Sequence, residues 1–341
     1  MHPDPGLTVE AWSDKSSEAF FRARDRWGDV HAYELSWNYV VQAMRRGGWV
    51  CSSANGWAAV SRDYCGEGRS ALLAPMADSP RSFVPDAITA AVSAGAAVVR
   101  VRHLAPETAE ALVGTGLFSR PSVPTSACLD DLSEDTWPQV LIHLPKERWR
   151  TESGANELLP ALPTGSALQE FRWRVRHFVR QHATRVHVRD LTRLTAQDSD
   201  HILSTWMKSV RTRFNSGARP PVRDFSTCFR EPVESLLESL LAGRLHSYGE
   251  ALFMEDRGIG IWLGDRISRS TCAVNVLLAD TTIRDAADFA LYRSLIGAHQ
   301  ERYEFVNLGG SESKSLFDFK RIGLRDGDAV TFRRAIDLDV H

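Results

Sequence analysis

Between Glu304 and Arg321 the chain reads E-F-V-N-L-G-G-S-E-S-K-S-L-F-D-F-K-R. A strand closing on Asn307 and Leu308, a Gly309-Gly310-Ser311 turn and a short helix ending in Phe319-Lys320 fit this run. Two glycines let the backbone take positive φ or approach a ligand closely. Amides that follow such a turn, at a helix N-terminus, bind an anion or a carbonyl oxygen. Lys320 adds one cation, a helix away from the turn. Taken alone, a Gly-Gly-Ser turn with a nearby lysine is more often a plain strand-to-helix connection. Two carboxylates stand where a general base is useful: Asp280, ending the strand before a long helix, and Glu250, in a hairpin. Both also have an ordinary structural reading.

A second chemistry lies in the basic residues. Lysine occurs only at 15, 146, 208, 314 and 320, so 36 of the 41 basic residues are arginine, whose planar fork grips phosphate and carboxylate. The formal charge is only −2, an average that taken alone speaks against a polyanion partner. Residues 171–223, however, hold eleven arginines and Lys208 against three aspartates. That segment carries +9 and the remainder of the chain −11. At 100° per residue Phe171, Val175, Phe178 and His182 share one helical face. Arg172, Arg176 and Arg180 form a row beside it, with Arg174 on the opposite flank; Arg211 and Arg213 follow later in the block. An arginine row next to a packing stripe suits backbone phosphates. Trp173 and His177 offer planes for stacking on unpaired bases. The alternative is a solvated face whose arginines pair with acids of the other half.

The elements that must position these groups come in two similar series. Six prolines between 120 and 165 mark an interdomain region. Before it, the pattern predicts a helix over 37–46, a hairpin of 50–53 and 57–61 around Asn55-Gly56, and a strand over 72–75. A helix over 85–94, a strand over 97–103, a helix over 106–113 and a strand over 126–132 follow. After it come a helix over 167–182, a strand over 185–189, helices over 201–210 and 233–241, and a hairpin of 246–254 and 259–263. A strand over 271–278, a helix over 283–302, a strand over 304–308, a helix over 314–321 and a closing strand over 329–336 complete the series. This predicts an α/β chain with mixed sheets in two tandem units, 1–150 and 167–341, joined by a linker over 151–166. The order of elements is that of the Gcn5-related N-acetyltransferase fold, twice over.

The longest apolar stretch, about Ala87 to Val99, is shorter than the roughly 18 residues a membrane span needs. No secretory leader is expected at the N-terminus. The five cysteines, at 51, 65, 128, 228 and 272, form no C-x-x-C pair, and the eleven histidines show no metal-ligand spacing. The expectation is a cytoplasmic protein with no metal, no cofactor and no membrane partner.

The string Asn307, Leu308, Gly309, Gly310, Leu316, Phe319, Lys320 and Gly323 resembles the end of two related families. These are the C-terminal domain of phosphatidylglycerol lysyltransferases and the Fem-type transferases of peptidoglycan cross-bridges. Ala167 to Val188 is similar, more loosely, to the family's arginine-rich helix, and Trp206 matches a tryptophan of the following helix. The resemblance implies a tandem fold that takes an aminoacyl group from aminoacyl-tRNA. It gives Lys320 the stabilisation of transition-state charge, with Phe319 shaping the acceptor channel. It makes tRNA the ligand of Arg172, Arg174, Arg176, Arg180, Arg211 and Arg213. The membrane-spanning region of the lysyltransferases and the helical arm of the Fem enzymes are not visible, and 211–231 is the one loop placed to substitute for the arm. A small soluble acceptor with an amine, hydroxylamine or hydroxyl, of the natural-product kind, fits better than a lipid. Two rivals differ in donor or in chemistry. Acyl-CoA-dependent N-acetyl transfer calls for a pyrophosphate loop of the form Q/R-x-x-G-x-G/A, whereas Leu278 to Asp285 holds no glycine. A non-catalytic RNA-binding module would use the basic block alone.

Overall fold

The computed structural model describes residues 6–13, 15–63, 68–121, 138–151, 156–215, 230–243, 245, 247–311, 314–324, 329–333 and 335–341. In chain order the first half runs β1 (Thr8–Ala11), α1 (Ser16–Trp27), α2 (Trp37–Ala43), β2 (Gly48–Ser53), β3 (Gly56–Ser61), β4 (Ser70–Ala77), α3 (Pro80–Ser93), β5 (Val98–Leu104), α4 (Pro106–Val113), β6 (Phe118–Ser119) and β7 (Gln139–His143). A small ribbon, β8 (Trp149–Arg150) with β9 (Leu162–Pro163), leads to the second half. This consists of α5 (Gln169–His182), β10 (Val186–Asp190), α6 (Ala196–Asn215), α7 (Glu231–Leu241), β11 (Tyr248–Met254), β12 (Arg257–Arg266), β13 (Thr271–Ala279), α8 (Ala286–Gln300), β14 (Phe305–Asn307), α9 (Lys314–Lys320), β15 (Val330–Arg333) and β16 (Ile336–Val340).

Two mixed seven-stranded sheets result, in the orders β1-β2-β3-β4-β5-β16-β6 and β10-β11-β12-β13-β14-β7-β15. In each, an antiparallel meander of four strands meets a fifth strand in parallel, β5 beside β4 and β14 beside β13. This is the tandem α/β acyltransferase-like fold expected from the order of elements. The sheets also trade strands across the expected boundary. β7 comes from the first half yet lies between β14 and β15 of the second sheet. β16, from the end of the chain, lies between β5 and β6 of the first. Arg102 Nε to Asp337 Oδ2 at 2.7 Å, both buried, and Arg100 Nε to Asp339 Oδ1 at 3.0 Å tie β16 into place. The expected closing strand over 329–336 is therefore two strands, one in each sheet.

Three apolar cores follow. One fills the outer face of each sheet. The third lies between the halves and joins Phe20, Trp37, Trp57 and Leu73 to Ile202, Leu236, Ile261 and Leu263. Helix α3 starts five residues before the expected site, with Pro80 in its first turn and Pro85 inside it. The hairpin β11–β12 turns at Glu255-Asp256, since Met254 pairs with Arg257, and Glu255 takes φ +58°. The strand expected over 126–132 lies outside the described residues.

Candidate functional site

Strands β13 and β14 pair over only three residues, Thr271 to Ala273 against Phe305 to Asn307. Beyond that point β13 runs on to Ala279 while the chain leaves β14 into the Leu308–Ser311 turn. The carboxyl ends of parallel strands are where open α/β sheets bind ligands. Asn307 is fully buried and holds the turn. Its Nδ2 donates to the His31 carbonyl at 2.8 Å and to Gln139 Oε1 at 2.9 Å, and its Oδ1 accepts the Gly309 N–H at 2.8 Å. Gly309 sits at φ +68°, where a side chain is strained, and an added Cβ would lie 3.1 Å from the Tyr33 ring. Strand β7 closes the turn from the other side, with Leu308 N donating to Val140 O at 2.9 Å and Val140 N to Gly309 O at 3.2 Å.

Helix α9 returns Lys320 to this turn, and its Nζ donates to the Gly310 carbonyl. The Gly-Gly-Ser and Phe-Lys elements, ten residues apart in sequence, therefore meet. Ser311 is fully buried, and its Oγ has no hydrogen-bond partner among the described residues. Phe319 is half-buried and packs against the core of the second half. One expected donor is withdrawn, because the Gly309 N–H is already committed to Asn307. The Gly310 N–H makes no bond among the described residues.

Neither expected general base has an oxygen to spare. The oxygens of Asp280 take His201 Nε2 at 3.0 Å, Thr282 N at 2.9 Å and Thr282 Oγ1 at 2.6 Å. Burial would raise this carboxyl, but the bonds from Thr282 and His201 outweigh it and hold the group below its usual range. Glu250 is gripped by both Nε and Nη2 of Arg293 and by Trp262 Nε1 at 2.9 Å. Both carboxylates fasten the sheet to its flanking helices.

Residues 31–39 of the first half, which the sequence did not single out, lie across the divergence of β13 and β14. His31 Nδ1 is 2.8 Å from Thr271 Oγ1, Tyr33 O–H donates to Val274 O at 3.5 Å, and Asn38 Nδ2 donates to Asn275 Oδ1 at 3.1 Å. Two buried pairs join this segment to β7 and β5. Gln139 Nε2 donates to Glu34, whose carboxyl burial pushes up to about 7. The Tyr39 hydroxyl meets His103 Nε2, and burial, with Arg102 adjacent, keeps that imidazole neutral. His103 takes φ +63° where β5 parts from β4, and Ala74 of β4 takes φ +46°. Strained residues of this kind cluster at functional sites. The only sequence signal for the 31–39 segment was its own run of polar and aromatic residues, and Ala74, His103 and Gln139 had none.

The arginine-rich helix α5 proves more tied down than its charge implies. Arg172 Nη1 donates to the carbonyls of Gly165 at 2.6 Å and Pro163 at 3.1 Å. Arg174 pairs with Glu170 and lies 3.5 Å from Asp288. Arg185 pairs with Glu255 at 2.7 Å. Arg176 is half-buried, and Arg180 is exposed with no ion pair among the described residues. Trp173 is 46% exposed and stacks on His177 at 5.1 Å and 15°. Asp285 orients that imidazole through Nδ1 at 2.7 Å. The side chains of Arg211 and Arg213, and most of 211–231, lie outside the described residues.

A helix N-terminus after a strand is the usual anion cradle, yet at two such places, the starts of α3 and α8, acids stand. Asp285 stands at the N-cap position of α8 at φ +61° with its carboxylate turned to His177, and Asp288 follows in the first turn. Before α3, Asp78 accepts from Trp27 Nε1 at 2.6 Å and pairs with Arg26, and Pro80 removes an amide. Among the described residues no group of three or more His, Cys, Asp or Glu could hold a metal ion. No described helix is long and apolar enough to cross a membrane.

No family model and no curated protein matches the chain. Solved structures do. A conserved protein of unknown function from Bacteroides thetaiotaomicron superposes with a TM-score of 0.67 at 12% identity, covering 98% of this chain and 100% of that one. L-PGS from Bacillus licheniformis gives 0.55 at 13%, covering 99% and 92%. The C-terminal domain of a putative lysylphosphatidylglycerol synthetase from Agrobacterium fabrum gives 0.54 at 14%, covering 96% and 92%. At these identities the likeness is one of fold.

Proposed function

We propose that the chain is an acyltransferase that moves an aminoacyl group from aminoacyl-tRNA to the amine, hydroxylamine or hydroxyl of a small acceptor, in the manner of the lysyltransferase and Fem-type enzymes. The observation that carries this reading is the meeting of Lys320 with the Gly309–Ser311 turn at the carboxyl end of β14. Aminoacyl-tRNA is an activated ester, so no covalent nucleophile is required. The site has to hold the acceptor close to the ester carbonyl. It also has to stabilise the oxyanion, a task suited to the Lys320 ammonium and the Gly310 amide. The acceptor forms a bond to the carbonyl carbon and the bond from that carbon to the ribose oxygen breaks. The proton lost by the acceptor ends on that oxygen. Direct transfer of this proton fits the full commitment of Asp280 and Glu250 to neighbouring groups.

Helix α5 supports an RNA donor. Arg180 and the exposed Trp173–His177 stack combine a phosphate contact with a plane for an unpaired base. Acids at the N-termini of α3 and α8 disfavour the pyrophosphate of coenzyme A at either place. The reaction is tested by incubating the protein with charged tRNA and candidate acceptors, with and without prior RNase treatment. Product that forms only with intact tRNA is the expected result. RNase-insensitive product, or tight acetyl-CoA binding by calorimetry, overturns the reading.

A further inference from the structure

The functional turn hangs on a chain of buried hydrogen bonds that starts in the other half of the molecule. The direction of each bond is fixed by the one before it. Gly309 N–H takes Asn307 Oδ1, so the Asn307 NH₂ must find acceptors, and it uses the His31 carbonyl and Gln139 Oε1. With its oxygen so used, Gln139 presents its own NH₂ to Glu34, whose carboxylate serves as the acceptor. All four residues are buried: Glu34 at 2% exposure, Gln139 at 4%, Asn307 at 0%, with Gly309 buried as well.

We propose that Glu34 is a positioning residue of the site, acting through Gln139 to fix the Asn307 side chain and with it the Gly309 turn. For catalysis this rests on the acyl-transfer reading above; the structural linkage does not depend on it. Gln139 is the first residue of β7, the strand that the first half gives to the second sheet. The exchange of strands thus has a consequence at the site, which is complete only when both halves contribute.

Glu34 is itself held from several elements. His103 on β5 brings Nδ1 to 3.8 Å from Glu34 Oε1, and the Tyr39 hydroxyl of α2 occupies the other ring nitrogen. A neutral imidazole that accepts at Nε2 carries its proton at Nδ1, facing the carboxylate. Arg333 of β15 acts on Glu34 through its charge, as does Asp29 in the same segment, and these two pair with each other. A leucine at 34 would leave the Gln139 NH₂ buried without its acceptor. An unsatisfied buried donor is costlier than an absent bond. Gln139 would rotate to find a partner, and Asn307 would lose one of the two acceptors that orient it.

Two measurements test this, one of which needs no substrate. The first is hydrogen exchange at the Gly309 amide in the whole protein. The second is kcat and KM with charged tRNA. The variants are E34L, Q139L, the double variant and E34Q. E34L and Q139L are each expected to speed Gly309 exchange and lower kcat by about tenfold, the worth of one buried bond, with KM for tRNA unchanged. The double variant should be no worse than either single one, because the two residues act in series. E34Q should stay near wild type, since its side-chain oxygen still accepts. Multiplying effects in the double variant, or wild-type exchange in both singles, overturns the proposal. If E34L fails to fold by circular dichroism, Q139L against E34Q decides on the same readouts. A wild-type protein with no tRNA-dependent turnover overturns the proposed function instead, and the exchange measurement still decides the linkage.

Discussion

At the scale of residues, the role proposed for Lys320 can be tested apart from RNA binding. Its ammonium lies on the Gly310 carbonyl, at the turn rather than on the arginine-rich helix. Lys320→Ala should therefore lower kcat by about 10²- to 10³-fold, the usual effect of removing one oxyanion donor. Affinity for uncharged tRNA, measured by fluorescence anisotropy, should remain near that of the wild type. Equal losses in both would make Lys320 one more phosphate contact. That Asn307, Gly309 and Lys320 belong to one candidate site was legible because they lie within one short string whose residue types have direct conformational meaning. His31, Tyr33, Glu34 and Gln139 were not. Each is unremarkable in its local pattern and acquires a role only through partners over a hundred residues away, as with Gln139 and Glu34. Asp280 and Glu250 had both a base and a structural reading in the sequence, and only the bonds from His201 and Arg293 show what holds them.

At the scale of elements, helix α5 divides into members with different tasks. Arg172 bridges two carbonyls at the entry to the helix. Arg172→Gln should destabilise the fold by about 1–2 kcal/mol in urea titrations, while changing the salt dependence of tRNA binding little. Arg180→Gln should do the reverse, leaving stability unchanged and reducing the slope of log K against log salt by about 0.7–0.9, one phosphate contact. The helix itself was plain in the sequence, since Phe171, Val175 and Phe178 recur at its period and all three are buried. Its arginines could be counted but not fully sorted: Glu170, one turn before Arg174, was in view, whereas Asp288 approaches from α8 and the Gly165 carbonyl from the bend that precedes the helix. The hairpins and β13 were equally legible. The closing strand was not, since the apolar pattern from Ala329 to Leu338 runs on although Val330–Arg333 and Ile336–Val340 belong to different sheets.

At the scale of the whole molecule, the two halves are one unit rather than two domains on a linker. Each completes the other's sheet, and a single core runs between them. Asp265 lies inside that junction at 2% exposure, where it accepts the Asn38 N–H of α2 at 3.0 Å. Burial pushes its carboxyl up to about 6, against the bond from Asn38 and the charge of Arg24. The folded protein thus keeps a proton that the unfolded chain releases at about 4. Between those values the unfolded state binds fewer protons, so this group's contribution falls as pH rises and is level above about 6. A shift of about two units corresponds to at most about 3 kcal/mol. Asp265→Asn keeps an acceptor for Asn38 and removes the titration. Urea unfolding at pH 4 and pH 7 should show the wild type losing up to about 3 kcal/mol more than the variant across that interval. Because the junction is shared, the loss should appear as a shift of one cooperative transition. A second transition, or an identical pH dependence in wild type and variant, would mean that the halves unfold separately or that Asp265 is hydrated in the junction.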